Sequence, residues 1–182
     1  MKIAVIGGGA AGMMFSTQYK KANPNDEVFV FEKSQYVAWA GCPTPYYIAD
    51  ELSFNDVVLG TPEDFIKRGV NVKTLHKVTD IDFKNKTLNI DGNDINGIFE
   101  YDKLVIAVGA KSFVPNINGY SENLENVFTL SHAEHAIKIK EYINTNKDKL
   151  KKAVVVGAGF IGLETAEAFN IKNLEVTVVE KA

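Results

Sequence analysis

The sequence has 182 residues, enough for one full domain and part of a second. Hydrophobic residues make up 46% of the chain and charged residues 24%, a globular mixture that excludes intrinsic disorder, a collagen-like repeat and a coiled coil. The 20 basic and 23 acidic residues give a formal net charge of −3, so the chain lacks the excess positive charge that nucleic-acid binding requires.

The apolar runs and the cysteine count bear on the cellular compartment. The two longest apolar runs cover residues 3–15 and 153–163, and both are shorter than the roughly 18–20 apolar residues that span a bilayer. Cys42 is the one cysteine in the sequence, so a disulfide framework cannot form. These features predict a protein of the reducing cytoplasm that does not contact a membrane.

A glycine-rich loop near the N-terminus follows a short β-branched run and precedes a helical pattern. Residues 3–6 predict the strand before the loop, residues 28–31 predict the strand after the helix, and Glu32 follows directly. This order is typical of the dinucleotide-binding fingerprint, whose glycines permit a tight turn, close approach of a pyrophosphate and close helix–strand packing. The acidic residue can accept hydrogen bonds from ribose hydroxyls. The glycines of this fingerprint are Gly7, Gly9 and Gly12.

Cys42 comes next in the chain, within the segment AGCPTPYY at residues 40–47. Because Pro43 suits the first turn of a helix, Cys42 is predicted beside a helix N-terminus, where the partial positive charge favours a thiolate. The residues alone leave two interpretations open. Cys42 is either a redox-active nucleophile or a small buried hydrophobic residue.

The middle of the chain predicts a helix, a run of strands and a longer helix. Thr61 has the position of an N-cap for the first helix. Ser131–Glu134 has the form of a capping box and predicts a helix that runs to about Thr145. We interpret His132 and His135 as part of an exposed face of this helix, not as metal ligands, and we predict no metal site. The strands are predicted at residues 70–75, 78–84, 87–92 and 103–108.

The glycine fingerprint occurs a second time, 150 residues further along the chain. Residues 154–156 predict the strand before it, residues 176–179 predict the strand after its helix, and Glu180 is the acid. Two copies in full context indicate two dinucleotide sites. The glycines alone do not decide which dinucleotide each site would bind. The Lys-rich stretch 147–152 places a domain boundary near residue 149, and the second set of glycines is Gly157, Gly159 and Gly162.

The whole chain resembles the N-terminal part of the FAD-dependent pyridine nucleotide–disulfide oxidoreductases. Within them it resembles the single-cysteine branch of coenzyme A-disulfide reductase, NADH oxidase and NADH peroxidase. The matching segments occur in the family's order and are VIGGGAAG at 5–12, FEK at 31–33, AGCPTPYYI at 40–48, EYDKLVIAVGAKSFVPNING at 100–119 and VVVGAGFIGLE at 154–164.

The resemblance implies the fold class and the domain organisation. The expected fold is α/β, with a Rossmann-like FAD-binding domain over residues 1–148 that combines a parallel sheet, helices and a small antiparallel β-meander. The first βαβ unit of a second Rossmann-like, NAD-binding domain is expected over residues 149–182. The second repeat stops two residues after its acid. We therefore expect an incomplete N-terminal fragment of an enzyme that is a homodimer at full length, with its exposed faces covered by a partner copy or by a missing segment.

The resemblance also implies roles for individual residues. Cys42 would be the redox-active catalytic residue, Phe160 would cover the flavin until NADH arrives, and Glu164 would lie beside the nicotinamide. The residues expected to bind FAD are Gly7, Gly9, Ala10, Ala11, Gly12, Glu32, Lys33, Val78, Ala107, Val108 and Gly109. Those expected to bind the nicotinamide cofactor are Gly157, Gly159, Phe160, Ile161, Gly162, Glu164 and Glu180.

Three departures from the family pattern refine the expected chemistry. Tyr47 stands where the dithiol branch has its second cysteine, so Cys42 would cycle as a sulfenic acid or as a mixed disulfide with a small thiol such as coenzyme A. Ala10 stands where the oxidases and peroxidases usually have histidine, which favours disulfide or sulfur reduction. Val108 stands where the family usually has threonine, so only backbone contacts to the cofactor would remain there.

We therefore expect a flavoprotein that passes electrons from NADH through FAD to Cys42. NADH is favoured over NADPH because the Glu180 carboxylate would repel a 2′-phosphate. The final acceptor would be a small molecule: a disulfide, sulfur or oxygen. Two alternatives stay open. The first is an NADH oxidase or NADH dehydrogenase-type flavoprotein in which Cys42 is a sulfenic acid or inert, and the second is a non-catalytic nucleotide-binding module.

Overall fold

The computed structural model describes residues 1–121 and 123–181. The chain divides into two compact units, each built from two chain segments. The first unit comprises Met1–Trp39 and Val58–Gly109, and the second comprises Ala40–Val57 and Ala110–Ala182. The domain boundary predicted near residue 149 remains a prediction. Ala182, the last residue of the predicted second domain, lies outside the described part of the chain.

The described part of the chain begins and ends with a strand–helix–strand unit, and three short helices, five strands and one longer helix lie between these two. The helices are α1 Ala10–Ala22, α2 Thr44–Ile48, α3 Phe54–Val57, α4 Pro62–Lys67, α5 Ala133–Thr145 and α6 Phe160–Ile171. The strands are β1 Lys2–Ile6, β2 Glu27–Glu32, β3 Val70–Thr74, β4 Lys77–Asp82, β5 Thr87–Asp91, β6 Gly97–Glu100, β7 Lys103–Ile106, β8 Lys152–Val156 and β9 Glu175–Val179.

The first unit is built around a parallel sheet with the strand order β3-β2-β1-β7. A separate antiparallel meander has the order β4-β5-β6. This arrangement confirms the predicted fold class, an α/β fold with a parallel sheet and a small antiparallel one. Strand β6 was missing from the sequence prediction, because its four residues include a glycine and alternate only twice.

Side chains on the central strands alternate between two hydrophobic clusters, one on each face of the sheet. Ile3 and Val5 join Val30 in one cluster, together with buried residues of α1 and α4. Ala4 and Phe31 point the other way, into a cluster with the meander. Because each fully buried aliphatic or aromatic side chain contributes about 1.5–3 kcal/mol, these two clusters fix the strands that carry the first glycine loop.

A buried histidine joins the end of β3 to the meander. His76 is only 3% exposed, and its Nδ1 lies 2.7 Å from the Thr74 carbonyl oxygen. Its Nε2 lies 2.6 Å from Asp94 Oδ1, and Lys73 forms an ion pair with the other oxygen of Asp94. The hydrogen bond from Lys73 outweighs desolvation and holds the pKa of Asp94 below its usual range.

We expect replacement of Asp94 by Asn to flatten the acid limb of the stability curve. A carboxyl whose pKa is lowered by folding stabilises the protein above about pH 4, and this contribution is lost as the pH falls through the lowered pKa. Asp94 is about half exposed, so the effect is about 1 kcal/mol or less. Thermal unfolding between pH 6 and roughly pH 3 measures it. Parallel curves for the two proteins would contradict the assignment.

The second unit contains the parallel pair β8-β9 and the helices α2, α3, α5 and α6. Helix α2 packs against both α5 and α6. On α5, Ala136, Ile139 and Ile143 are buried at the spacing of one helix face. Within the described residues, no helix combines the length and the apolar character needed to cross a bilayer.

The two predicted helix starts have different outcomes. Thr61 caps α4 as predicted, since its side chain accepts a hydrogen bond from the Asp64 amide and the Asp64 carboxylate accepts one from the Thr61 amide. The capping box predicted at Ser131–Glu134 is wrong. The N-cap of α5 is His132 without a side-chain cap, because Ser131 Oγ lies instead 3.3 Å from His135 Nδ1. The helix itself ends at Thr145 as predicted.

Candidate functional site

The first glycine loop leaves β1 through a backbone conformation that only glycine adopts easily. Gly7 has φ +103° and donates its N–H to the Phe31 carbonyl at 2.8 Å. A Cβ at Gly7 would lie 2.3 Å from the carbonyl oxygen of Ala107. Ala107 in turn donates its N–H to the Ile6 carbonyl at 2.8 Å. The turn and the end of β7 are therefore in direct backbone contact.

The other two glycines of this loop serve different purposes. A Cβ at Gly12 would lie 1.9 Å from the Gly7 carbonyl oxygen, so α1 packs on the turn as closely as the backbone permits. Gly9 is the N-cap of α1, and a Cβ there would meet no atom of the described residues within 4 Å. Ala10 and Ala11 are also exposed. This leaves an open helix N-terminus whose N–H groups can approach a pyrophosphate.

The acid at the end of β2 fastens the loop. Glu32 accepts a hydrogen bond from the Gly8 amide at 2.7 Å through one carboxylate oxygen. Its other oxygen accepts one from the Ser34 amide at 2.8 Å. A carboxylate has about four lone-pair sites, so both oxygens retain capacity for a further donor such as a ribose hydroxyl. The ribose role of Glu32 remains a prediction, and its bond to the Gly8 amide was not predicted.

The remaining residues predicted to bind FAD lie in the first unit, on separate elements or loops. Val108 is 60% exposed after β7, and Gly109 has φ +69°. Val78 lies on β4 and packs against the cluster between the sheet and the meander. Lys33 is exposed directly after β2. The contacts given above bring together the loop, Glu32 and Ala107.

The second glycine loop repeats the geometry of the first. Gly157 has φ +108° and donates its N–H to the Val179 carbonyl at 2.8 Å. A Cβ at Gly162 would lie 1.9 Å from the Gly157 carbonyl oxygen, and one at Gly159 would meet no described atom within 4 Å. Glu180 accepts a hydrogen bond from the Ala158 amide at 2.5 Å, as Glu32 does from Gly8. The duplicated motif is therefore a duplicated structure.

A cavity in the second unit brings four predicted site residues together. Its volume is about 380 Å³. Cys42 lies on its wall, is exposed, and precedes Pro43, the N-cap of α2. Phe160 opens α6 with 89% of its surface exposed, and Glu164 follows one turn later. The lining residues are Gly41, Cys42, Thr44, Pro45, Leu130, Ser131, Phe160, Ile161 and Glu164.

Five of the nine described lining residues were not predicted as site residues, and two of these five lie outside the cysteine segment as well. Leu130 and Ser131 precede α5, and no motif in the sequence links them to the cysteine segment. Thr129 precedes Leu130 in the chain, and its Oγ1 lies 3.4 Å from His135 Nδ1. In residues 1–121 and 123–181, no three His, Cys, Asp or Glu side chains gather in a way that could hold a metal ion.

Comparison with known proteins decides the family. The family model of the pyridine nucleotide-disulphide oxidoreductases matches this sequence over residues 1–182. The chain belongs to this family. The glycine geometry fits dinucleotides at both loops, because the second glycine of each faces open space and the third closes the helix on the turn.

Individual pyridine nucleotide-disulphide oxidoreductases are similar over the whole chain. An NADH oxidase of Methanocaldococcus jannaschii is 38% identical, over 100% of this chain and 40% of its own length. A coenzyme A disulfide reductase of Staphylococcus haemolyticus is 33% identical, over 100% of this chain and 40% of its own. The solved NAD-dependent persulfide reductase of A. fulgidus aligns with a TM-score of 0.88 at 38% identity, over 98% of this chain and 33% of its own. The chain thus spans about two fifths of these two curated relatives.

Proposed function

We propose that the protein acts in an NADH-dependent flavoenzyme that reduces a small disulfide or sulfur compound through Cys42. The observation that carries this proposal is the cavity, because it combines a cysteine with an aromatic and an acidic side chain of α6. The overall reaction balances as NADH, a proton and a disulfide giving NAD⁺ and two thiols. The disulfide accepts the two electrons, and its S–S bond is the bond that breaks.

The first glycine loop is the proposed FAD site. The N–H groups at the start of α1 would bind the pyrophosphate, and Glu32 would accept the ribose hydroxyls while it holds the loop through Gly8. When bound, FAD supplies the two-electron chemistry that links NADH oxidation to thiol–disulfide exchange. The residues proposed to hold it are Gly7, Gly9, Ala10, Ala11, Gly12, Glu32, Lys33, Val78, Ala107, Val108 and Gly109.

The second glycine loop is the proposed NADH site. The Glu180 carboxylate lies beside this loop and accepts hydrogen bonds from the Ala158 and Lys181 amides. A 2′-phosphate would meet this negative charge, so we propose NADH over NADPH. Phe160, Ile161 and Glu164 would receive the nicotinamide end, and the loop itself would be bound through Gly157, Gly159 and Gly162.

Cys42 is the proposed site of exchange with the substrate. It is exposed on the cavity wall, so a small thiol or disulfide can reach its sulfur. Tyr47 occupies the position of a second cysteine, and the chain has no other thiol that could close an internal disulfide. We propose that the oxidised form of Cys42 is a mixed disulfide with a small thiol, and coenzyme A is the candidate because a Staphylococcus haemolyticus relative is a coenzyme A disulfide reductase.

A second candidate function is favoured by a different observation. The relative from Methanocaldococcus jannaschii, at 38% identity, is an NADH oxidase. In that case oxygen would be the acceptor, and Cys42 would cycle through a sulfenic acid. The two candidate functions therefore predict different oxidised forms of the Cys42 sulfur, a mixed disulfide in the first and a sulfenic acid in the second.

Intact mass of the purified protein under denaturing, non-reducing conditions tests this choice. The mixed-disulfide proposal expects an adduct with the mass of coenzyme A or another small thiol, which disappears on reduction. A single added oxygen on Cys42 supports the oxidase candidate instead. A bare thiol, after purification with and without an added small disulfide, contradicts both and leaves Cys42 inert.

We expect replacement of Phe160 by alanine to change NADH handling without a cost in stability. The ring is 89% exposed, so its removal should change the free energy of unfolding by about 0.5 kcal/mol or less. If the ring covers the nicotinamide site, the KM for NADH should shift by about threefold or more, while the thermal midpoint stays constant. Leu163 is 52% exposed on the same helix, and Leu163→Ala is the matched control. Equal kinetics for the two variants would contradict the assignment.

A further inference from the structure

Asp50, just after helix α2, has an unusual backbone conformation. Helix α2 stops at Ile48, and two residues later Asp50 has φ +65°, in the left-handed region that favours glycine. Aspartate tolerates this region better than most residues, but it still carries a steric cost. The surroundings must therefore hold Asp50 in place.

Two lysines from different elements hold its carboxylate. Lys140 of α5 lies 2.7 Å from Asp50 Oδ1, and Lys172, directly after α6, forms an ion pair with Oδ2. The side chains of Lys140 and Lys172 are only 17% and 14% exposed. Largely buried ammonium groups need a partner, so the Asp50 carboxylate balances the charge of both.

The same lysines reach two further elements. Lys140 Nζ donates to the Tyr47 carbonyl at 2.7 Å and lies 4.0 Å from the centre of the Tyr47 ring. Lys172 donates to Asn144 Oδ1 at 3.3 Å, near the end of α5. The ion cluster therefore joins α2, α5 and α6 at one end of the second unit.

A narrow cleft of about 100 Å³ separates α2 from α6 beside this cluster. Pro45, Tyr46 and Ala49 line it from the α2 side, and Glu164 and Ala168 line it from α6. Glu164 also lines the larger cavity that contains Cys42. The spacing of α2 and α6 at the cleft thus sets the spacing of the cysteine segment and the start of α6 at the cavity.

We propose that Asp50 is a positioning residue for Cys42. Its two ion pairs fix α2 against α5 and α6, and this fixes Cys42 relative to Phe160 and Glu164 across the cavity. The inference rests on the proposed function for the chemistry of that cavity. Its structural part, that Asp50 controls the environment of the Cys42 thiol, stands independently.

The test compares Asp50→Gly and Asp50→Asn in the flavin-loaded protein. Glycine relieves the backbone strain and asparagine keeps the shape, and both remove the charge. Glu175→Gln is the matched control, since Glu175 also pairs with a lysine in the second unit but is 69% exposed on β9. Lys172→Met removes the α6 contact and leaves Lys140 paired with Asp50.

We expect kcat/KM per bound flavin to fall about tenfold in both Asp50 variants and in Lys172→Met, mainly through kcat, because displaced reacting groups lose rate steeply. The Asp50→Asn/Lys172→Met double variant should be no worse than either single variant. The rate of Cys42 alkylation by iodoacetamide, followed by peptide mass, should change at least about threefold. Glu175→Gln should match wild type in both measurements.

Per-flavin kinetics and alkylation rates within twofold of wild type in Asp50→Gly and Asp50→Asn would overturn the proposal and leave Asp50 a purely structural residue. Failure of the proposed function gives a different result. In that case turnover in the wild type does not depend on Cys42 at all, and the alkylation rate alone decides whether Asp50 positions the thiol.

Discussion

Replacement of Cys42 by serine in the flavin-loaded protein should abolish reduction of a disulfide substrate, with a loss in kcat of at least about 10³-fold. Serine keeps the size of the side chain but cannot form the S–S bond through which the proposed disulfide substrate would exchange. Electron transfer from NADH to the flavin should persist, because the second glycine loop and Phe160 are unchanged. Stopped-flow absorbance separates the two half-reactions.

The stability of this variant provides its control. Cys42 is exposed, so the free energy of unfolding should change by about 0.5 kcal/mol or less. Thr44 lines the same cavity, and Thr44→Ser tests whether a small change in the wall has a comparable effect. Unchanged turnover in Cys42→Ser would rule out the disulfide mechanism and assign the cysteine an inert role.

Substitution of the glycines in the first loop should separate folding from cofactor binding. Gly12→Ala places a Cβ 1.9 Å from the Gly7 carbonyl, which costs about 3 kcal/mol, while alanine returns about 1 kcal/mol of helix propensity. The net loss of about 2 kcal/mol should appear in chemical denaturation, accompanied by loss of flavin. The protein should bind less FAD because the turn itself is distorted.

Gly9→Ser is the matched variant. Serine is a favoured N-cap, and the position faces open space among the described residues, so stability should stay within about 0.5 kcal/mol. A pyrophosphate that approaches this backbone would meet the new side chain, so the Kd for FAD should rise by about 100-fold. Normal FAD affinity in Gly9→Ser would contradict the proposed site. The same pair at Gly162 and Gly159 should act on NADH and spare FAD.

The glycine loops were predictable because their chemistry is local. Each loop is contained in a strand–turn–helix of adjacent residues. The tight turn at position 7 and the close packing at position 12 both require glycine. The α4 cap was predictable for the same reason, since Thr61 and Asp64 are three residues apart. The α5 cap was not, because Ser131 and His135 interact across one turn and displace the expected bond.

Features that depend on distant pairing escaped the sequence analysis. Asp50 and Lys172 are 122 residues apart, and their pairing follows only from the packing of α2 on α6. Leu130 and Ser131 join the cavity of Cys42 in the same way. Glu32 was assigned to a ribose, whereas its bond to Gly8 requires knowledge of how the loop folds back over β2. Local motifs carry no information about such pairings.

The close packing of Gly12 on the Gly7 carbonyl, where a Cβ would lie 1.9 Å from the oxygen, also fixes how α1 is aligned on the sheet. A slip of α1 by a single residue would bring Met13 or Ala11 over the Gly7 carbonyl, and neither side chain fits there. The turn therefore fixes the register of α1 relative to the sheet. It selects which face of α1 meets the sheet, and so keeps Met13 and Ser16 inside. The same packing occurs at Gly157 and Gly162. The helix of each βαβ unit would therefore be aligned on its strands by residues of that unit alone, before long-range contacts form.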